Sequence, residues 1–297
     1  MNAETMFERF KAERKALKNV TPKTLIWYKT SWLAFAPYLK GELDEKQLRE
    51  ALKEAVIGMV TKPKSKDPKK RVAGPVTINN YIRCMNAFYK WMLDGERVEK
   101  PFKLSKLKTH SKVRDILTDA EVARLISYKP KRSFDRRVYT MILAILDGGF
   151  RLDEVRRFKH CDIDFDNRLI MVYMGKGRKQ RRVPFSDQLK RVLWKYCADM
   201  ADNQFLFTTA KNKLLSARNA TRDLKRIGEA VNVPRVRFHG LRHTMATNYL
   251  KRGGSVTDLR RILGHANLNT TMIYEHLQTE DMVSDHQHLS ILSARIA

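Results

Sequence analysis

The stretch VRFHGLRHTMATNYLKRGG, Val236 to Gly254, places His239, Arg242 and His243 within five positions at the opening of an expected helix. Two imidazoles and a guanidinium then give way to apolar residues. One reading is a solvated first turn. The other is a grip for an anion, because the first N–H groups of a helix lack partners and its dipole is positive there. Composition is the first means of choosing.

The 297 residues carry 59 Lys and Arg against 32 Asp and Glu, a formal charge of +27. Such a surplus repels itself unless a polyanion is near, so it points to nucleic acid. Hydrophobic residues make up 43% of the chain, enough for a core, which excludes wholesale disorder. No apolar run is long enough to span a membrane. The opening MNAETMFERFKAERKALK is charged throughout and does not read as a secretory leader. Cys84, Cys161 and Cys197 are scattered, make no CxxC pair and suggest no disulfide framework. A cytoplasmic protein is expected.

Upstream, NVTPKTLIWYKTSWLAFAPYL starts a helix, with Thr21 as N-cap and Pro22 in the first position. Leu25, Tyr28, Trp32, Phe35 and Leu39 make one apolar stripe, and Ile78, Ile82, Met85, Tyr89 and Met92 make another. Further helices are expected over the first eighteen residues and about 44–58. TKPKSKDPKKR, with six basic residues and one Asp, is a loop that is either solvated or laid against phosphates. Residues 1–99 thus read as a helical bundle and 100–115 as a basic, extended linker. Thr118 and Glu121 make a capping box, and a second domain, 116–297, begins there. It is expected to be mostly helical with a small three-stranded antiparallel sheet at 161–165, 169–174 and 181–185. Its helices are expected near 187–200, 217–231, 240–252 and 256–263. The chain as a whole is mainly α, an α+β protein.

Four segments carry chemistry: LDGGFRLDEVRRF with Arg151 and Glu154, MGKGRKQRRVPF with Lys176, FHGLRHT with His239 and Arg242, and LGHANLNTTMIYEH with His265 and Tyr274. Singly, each has a plain explanation. Most arginines are surface residues, a lysine at a hairpin tip is solvated, and Tyr274 beside Ile273 and Leu277 suits a core. Five of the eight residues in GKGRKQRR are basic, so that tip also suits a DNA groove. His239 and His243, four apart, suit a metal, but the Glu of HExxH is absent.

Together, in this order and in the contexts GKGxxxRxVP, FHxLRHTxAT and LGHxxxxTTxIYxH, they resemble the tyrosine recombinase (phage integrase) family and its short Xer-like members. The likeness spans about 115–280, and residues 1–99 resemble, more loosely, the family's helical core-binding (SAM-like) domain. DGGFR departs from the family, which often carries Thr-Gly where this chain has Gly-Gly.

The resemblance implies a site-specific recombinase with catalytic residues Arg151, Lys176, His239, Arg242, His265 and Tyr274, and Glu154 as an orienting group. The two arginines would fork onto the nonbridging oxygens of a phosphodiester. Tyr274 would be the nucleophile, its phenol proton passing to a base such as His239. Lys176 would protonate the departing 5′ oxygen, and His265 would donate to the phosphate. A 3′-phosphotyrosyl intermediate and a Holliday junction are implied, with no metal and no small-molecule cofactor. The implied partners are double-stranded DNA carrying recombination sites and a homotetramer on two such sites, as in integration, excision, resolution or transposition of mobile elements. Lys100, Lys103, Lys106, Lys108, Lys112, Arg178, Lys179 and Arg181 are the expected DNA contacts. With no room for an arm-site domain, a simple-site recombinase is expected. The alternatives are a type IB topoisomerase-like enzyme, disfavoured by the residues after Tyr274, and a non-catalytic DNA-binding regulator, disfavoured by the intact set. A metalloprotein built on His239, His243, His265 and His276 lacks a familiar ligand pattern.

Overall fold

Thr21 caps the second helix as its sequence demands, accepting from the Thr24 amide, with Pro22 at the first position. The computed structural model describes residues 1–61, 73–109, 116–173, 180–198, 205–209 and 213–264. The chain divides into two units, Met1–Lys112 and Val113–Ala297.

In the first unit, α1 (Ala3–Leu17), α2 (Pro22–Phe35), α3 (Glu45–Thr61) and α4 (Pro75–Asp94) enclose one core. Both expected stripes are buried, save Leu25, which is half-buried. Phe7 stacks on Trp32 at 4.5 Å and meets Phe88 edge-on at 5.1 Å. Each such ring contributes up to about 3 kcal/mol when fully buried.

Residues 101–109 have no regular secondary structure, yet they are strapped to this unit. The Asn86 carboxamide accepts from the Leu104 amide at 2.8 Å and donates to its carbonyl at 3.0 Å. Asn79, two turns earlier on the same face of α4, does the same for Leu107, at 2.8 and 2.9 Å. Leu104 is buried, and Phe102 and Leu107 pack on the core. Lys103, Lys106 and Lys108 are left exposed.

The second unit opens at α5 (Asp119–Ile126), whose Thr118–Glu121 capping box forms as expected. α6 (Ser133–Gly148) is its central helix, which the sequence pattern does not single out. Its N-cap, Arg132, makes no side-chain cap bond, and Val138, Thr140, Met141, Ile142, Ala144 and Ile145 are buried around most of its circumference. Val138, Met141, Ile142 and Ile145 line one face of it, and Thr140 and Ala144 extend the burial beyond that stripe. α7 (Leu152–Val155) leads to β1 (Ile163–Asp164), β2 (Leu169–Val172) and β3 (Arg181–Pro184), in order β1-β2-β3 and antiparallel. The strands are shorter than expected. At the start of the first, His160–Asp162 forms a 3-10 turn closed by the Asp162 carboxylate on the Lys159 amide. Ile170, Val172 and Val183 face the core. α8 (Asp187–Cys197), α9 (Ala217–Ala230), α10 (Phe238–Lys251) and α11 (Val256–Leu263) complete the described part. Buried Thr244 on α10 accepts from the Leu117 amide at 2.9 Å, tying the start of the unit to this helix. No helix among the described residues is long and apolar enough to cross a membrane.

Candidate active site

α10 begins at Phe238, two residues earlier than expected, so His239 lies inside its first turn. His239 is exposed, whereas Arg242 and His243 are buried. Four residues apart, the two imidazoles meet edge to face, with Nε2 to Nε2 at 2.8 Å. One ring must present a lone pair there and the other an N–H.

Arg242 is fixed by backbone. Its Nη1 donates to the Gly149 carbonyl at 2.5 Å and its Nη2 to the Leu263 carbonyl at 2.8 Å. Gly149 is the C-cap of α6 and Leu263 the last residue of α11. Both carbonyls lie at helix C-termini, where intrahelical donors run out and the dipole is negative. The chain can reach this arrangement because Gly149 has φ 62°, and a Cβ there would lie 2.8 Å from Leu263 Cδ2 and 2.9 Å from Met245 Sδ. Gly148 has a different reason. A Cβ on it would sit 2.3 Å from the buried Phe150 ring, which packs edge-on against Phe158 at 4.9 Å. The Gly-Gly departure therefore makes space for an aromatic core residue.

Arg151 stands at the N-cap of α7. Glu154 accepts from its amide at 2.8 Å and from its Nη1 at 2.9 Å. Its Nη2 lies 3.5 Å from the Gly264 carbonyl. Arg181 reaches the same carboxylate with Nη1 at 3.0 Å and Nη2 at 2.8 Å, and its Nε donates to the Ile262 carbonyl at 2.8 Å. Burial would raise the Glu154 pKa, but the hydrogen bonds and charge of Arg181, then the bonds from Arg151, outweigh it and hold the carboxyl below its ordinary value. The group is an anion that binds guanidiniums.

Three arginines from β3, α10 and the α7 N-cap thus meet three successive carbonyls, Ile262, Leu263 and Gly264. The next residue in the chain is His265. His265, Tyr274, Lys176, Arg178, Lys179 and Lys112 lie outside the described residues, as do His276 and the C-terminal residues. Among the expected DNA contacts, Lys100, Lys103, Lys106 and Lys108 are exposed. Arg181 differs from the expectation: its side chain is only 9% exposed and is committed to Glu154 and α11. Strand parity is the signal that marks it. Arg181 lies two residues from buried Val183 and opposite Val172, hence on the core face. Glu154 contacts two arginines, Arg151 and Arg181.

Cys84 and Cys197 are buried, which pushes their thiols up to about 12 and about 11, and they belong to the two cores. Among the described residues, no three His, Cys, Asp or Glu side chains gather as metal ligands.

Residues 115–281 match the phage integrase family. A tyrosine recombinase of Thermosipho africanus is 29% identical over 284 residues, 94% of this chain and 97% of that protein. Tyrosine recombinase XerA of Saccharolobus solfataricus is 33% identical over 225 residues, 76% of this chain and 72% of that protein. The solved structure of the Tn1549 transposon integrase in complex with transposon right end DNA is similar in fold, with TM-score 0.78 at 18% identity, covering 98% of this chain and 100% of that one. That of a lambda integrase dimer bound to a core site has TM-score 0.71 at 18% identity, covering 92% and 95%. The family match takes in more than half of the chain and every residue of the described arginine cluster, and the chain belongs to the phage integrase family, as a tyrosine recombinase.

Proposed function

We propose that the chain cleaves and rejoins double-stranded DNA at specific sites through a 3′-phosphotyrosyl intermediate on Tyr274. The observation that carries this is the fixing of Arg151 by Glu154 and of Arg242 by the Gly149 and Leu263 carbonyls, both guanidiniums lying at the C-terminal end of α11. Two guanidiniums at the end of one helix suit the two nonbridging oxygens of one phosphodiester, where negative charge grows in the transition state. The Tyr274 oxygen attacks phosphorus, the bond to the 5′ oxygen breaks, and the phenol proton passes to His239. Lys176 supplies the proton that the 5′ oxygen takes up, and His265 donates to the phosphate. Attack by a different 5′-hydroxyl reverses these steps and frees the tyrosine. Phosphodiester bond energy is kept in the intermediate, so the cycle needs no ATP. The arginines and lysine supply the positive charge that a metal brings to other phosphoryl transfers.

The assembly we propose is a homotetramer on two DNA sites, passing through a Holliday junction, in the cytoplasm. Lys100, Lys103, Lys106, Lys108, Lys112, Arg178 and Lys179 would face the backbone. The DNA complexes of the Tn1549 and lambda integrases support DNA as the partner.

The deciding experiment uses a nicked suicide duplex bearing a site that the chain itself recovers from random-sequence DNA. The wild-type chain should become covalently attached, and sequencing of the trapped DNA would name the site. Tyr274→Phe should bind equally and form no adduct. An adduct in that variant would remove Tyr274 from the mechanism.

A further inference from the structure

Arg181 is a buried guanidinium beside the site with no place in the reaction described above. We propose that it is a positioning residue for strand cleavage. It holds the Glu154 carboxylate in the orientation that clamps Arg151, and it ties that carboxylate to the end of α11.

Four observations carry the assignment. Arg181 is bidentate on Glu154, at 3.0 and 2.8 Å, and both partners are about nine-tenths buried. The same two carboxylate oxygens receive the Nη1 and amide of Arg151 at 2.9 and 2.8 Å, so the Glu154 rotamer that Arg181 selects is the one Arg151 uses. The third Arg181 donor, Nε, reaches the Ile262 carbonyl, two residues before the Gly264 carbonyl beside Arg151. Finally, Gly264 has φ 62°, and a Cβ on it would lie 3.0 Å from Arg181 Cδ and Nη1, so the turn that leaves α11 packs directly against this side chain.

A buried ion pair is a poor device for stability alone, since desolvation offsets much of the attraction. Its geometry is what an apolar pair could not reproduce. Arg151 is 41% exposed and would otherwise sample several rotamers in water. Lysine could not replace Arg181, because one ammonium cannot bridge two carboxylate oxygens and a carbonyl with fixed angles.

The proposal rests on the reading of Arg151 as a phosphate-holding residue, and the experiment separates the two. Arg181→Met, Arg181→Lys and Arg151→Ala are compared in single-turnover adduct formation on the nicked duplex. The scissile group is either a phosphodiester or a methylphosphonate, which has no charge for Arg151 to meet. Arg181→Met should bind the duplex as the wild type does yet form adduct about 100-fold more slowly on the phosphodiester. On the methylphosphonate its rate should lie close to wild type, and Arg151→Ala should show the same substrate dependence. Arg181→Lys should recover little. Equal losses on both substrates, or no loss on either, would overturn the proposal. If Arg181→Met does not fold, Arg181→Gln, which keeps one donor toward the Glu154 carboxylate but not the bidentate fork, takes the same two substrates under the same outcomes. Full-rate phosphodiester cleavage by Arg151→Ala would overturn the reading of Arg151 itself. Impaired Arg151→Ala beside unimpaired Arg181→Met would overturn only the role given to Arg181.

Discussion

The carbonyl of Gly149 accepts from Arg242 Nη1 at 2.5 Å, and it can do so because Gly149 stands at φ 62°. Residues 93 apart in sequence are joined at the C-terminal end of α6. Gly149→Ala forces a side chain into the left-handed region and against Leu263 and Met245. It should destabilise the second unit by about 1–3 kcal/mol, read as a lower urea midpoint. Adduct formation should fall further than stability does, because the acceptor of Arg242, which we propose holds the scissile phosphate, moves.

Arg242→Lys tests the fork rather than the charge. A lysine ammonium cannot span the Gly149 and Leu263 carbonyls and still offer donors to a phosphate. Adduct formation should drop by about 10²–10³, the usual loss of one transition-state donor, with a smaller change in site affinity by gel shift. A variant that cleaves normally would show that charge alone suffices here.

Acid should act on the capping box of α5. Hydrogen bonds from Arg235, then from the Thr118 amide, lower the Glu121 pKa to about 2. In the unfolded chain it lies near 4.3, roughly the value for an isolated Glu. A depressed folded pKa means stabilisation that is fully present above the unfolded value and lost as pH falls through the folded one. Glu121→Gln should therefore be less stable than wild type at pH 7, and the gap should narrow between about pH 4.3 and 2. Thermal melts across that range check it; a constant gap would show that the carboxylate charge is not what matters.

The strap on the first unit depends on two carboxamides. Asn79→Ala and Asn86→Ala each leave one amide and one carbonyl of the strap without these partners. Each should cost about 1–2 kcal/mol. Together they should make residues 101–109 cleavable by trypsin while α4 stays intact, which peptide mapping would show. Unchanged digestion would mean that Leu104 and Phe102 alone hold the strap.

Lys103, Lys106 and Lys108, exposed on that strap, should each contribute to the salt dependence of DNA binding. Replacing one by Gln should flatten the slope of log affinity against log salt by about 0.9 if it meets a phosphate. An unchanged slope for all three would place the DNA path elsewhere.

The amino-acid sequence by itself determined what depends on neighbours along the chain. The stripes of α2 and α4, the Thr21 and Thr118 caps and the three antiparallel strands follow from backbone periods and local hydrogen bonds. The order and spacing of Arg151, Glu154, His239 and Arg242 were likewise written there. Folding alone decided what each of them touches. α6 lacks a side-chain cap at Arg132, so no local start signal marked it, although Val138, Met141, Ile142 and Ile145 do repeat at helical spacing. The inward turn of Arg181 was marked by strand parity, but its partner Glu154, 27 residues away, was not. Arg242 found its acceptors in the carbonyls of Gly149 and Leu263, and every residue has a carbonyl, so no residue type announces such a partner. Only the packing of α6, α10 and α11 brings those groups within hydrogen-bonding distance.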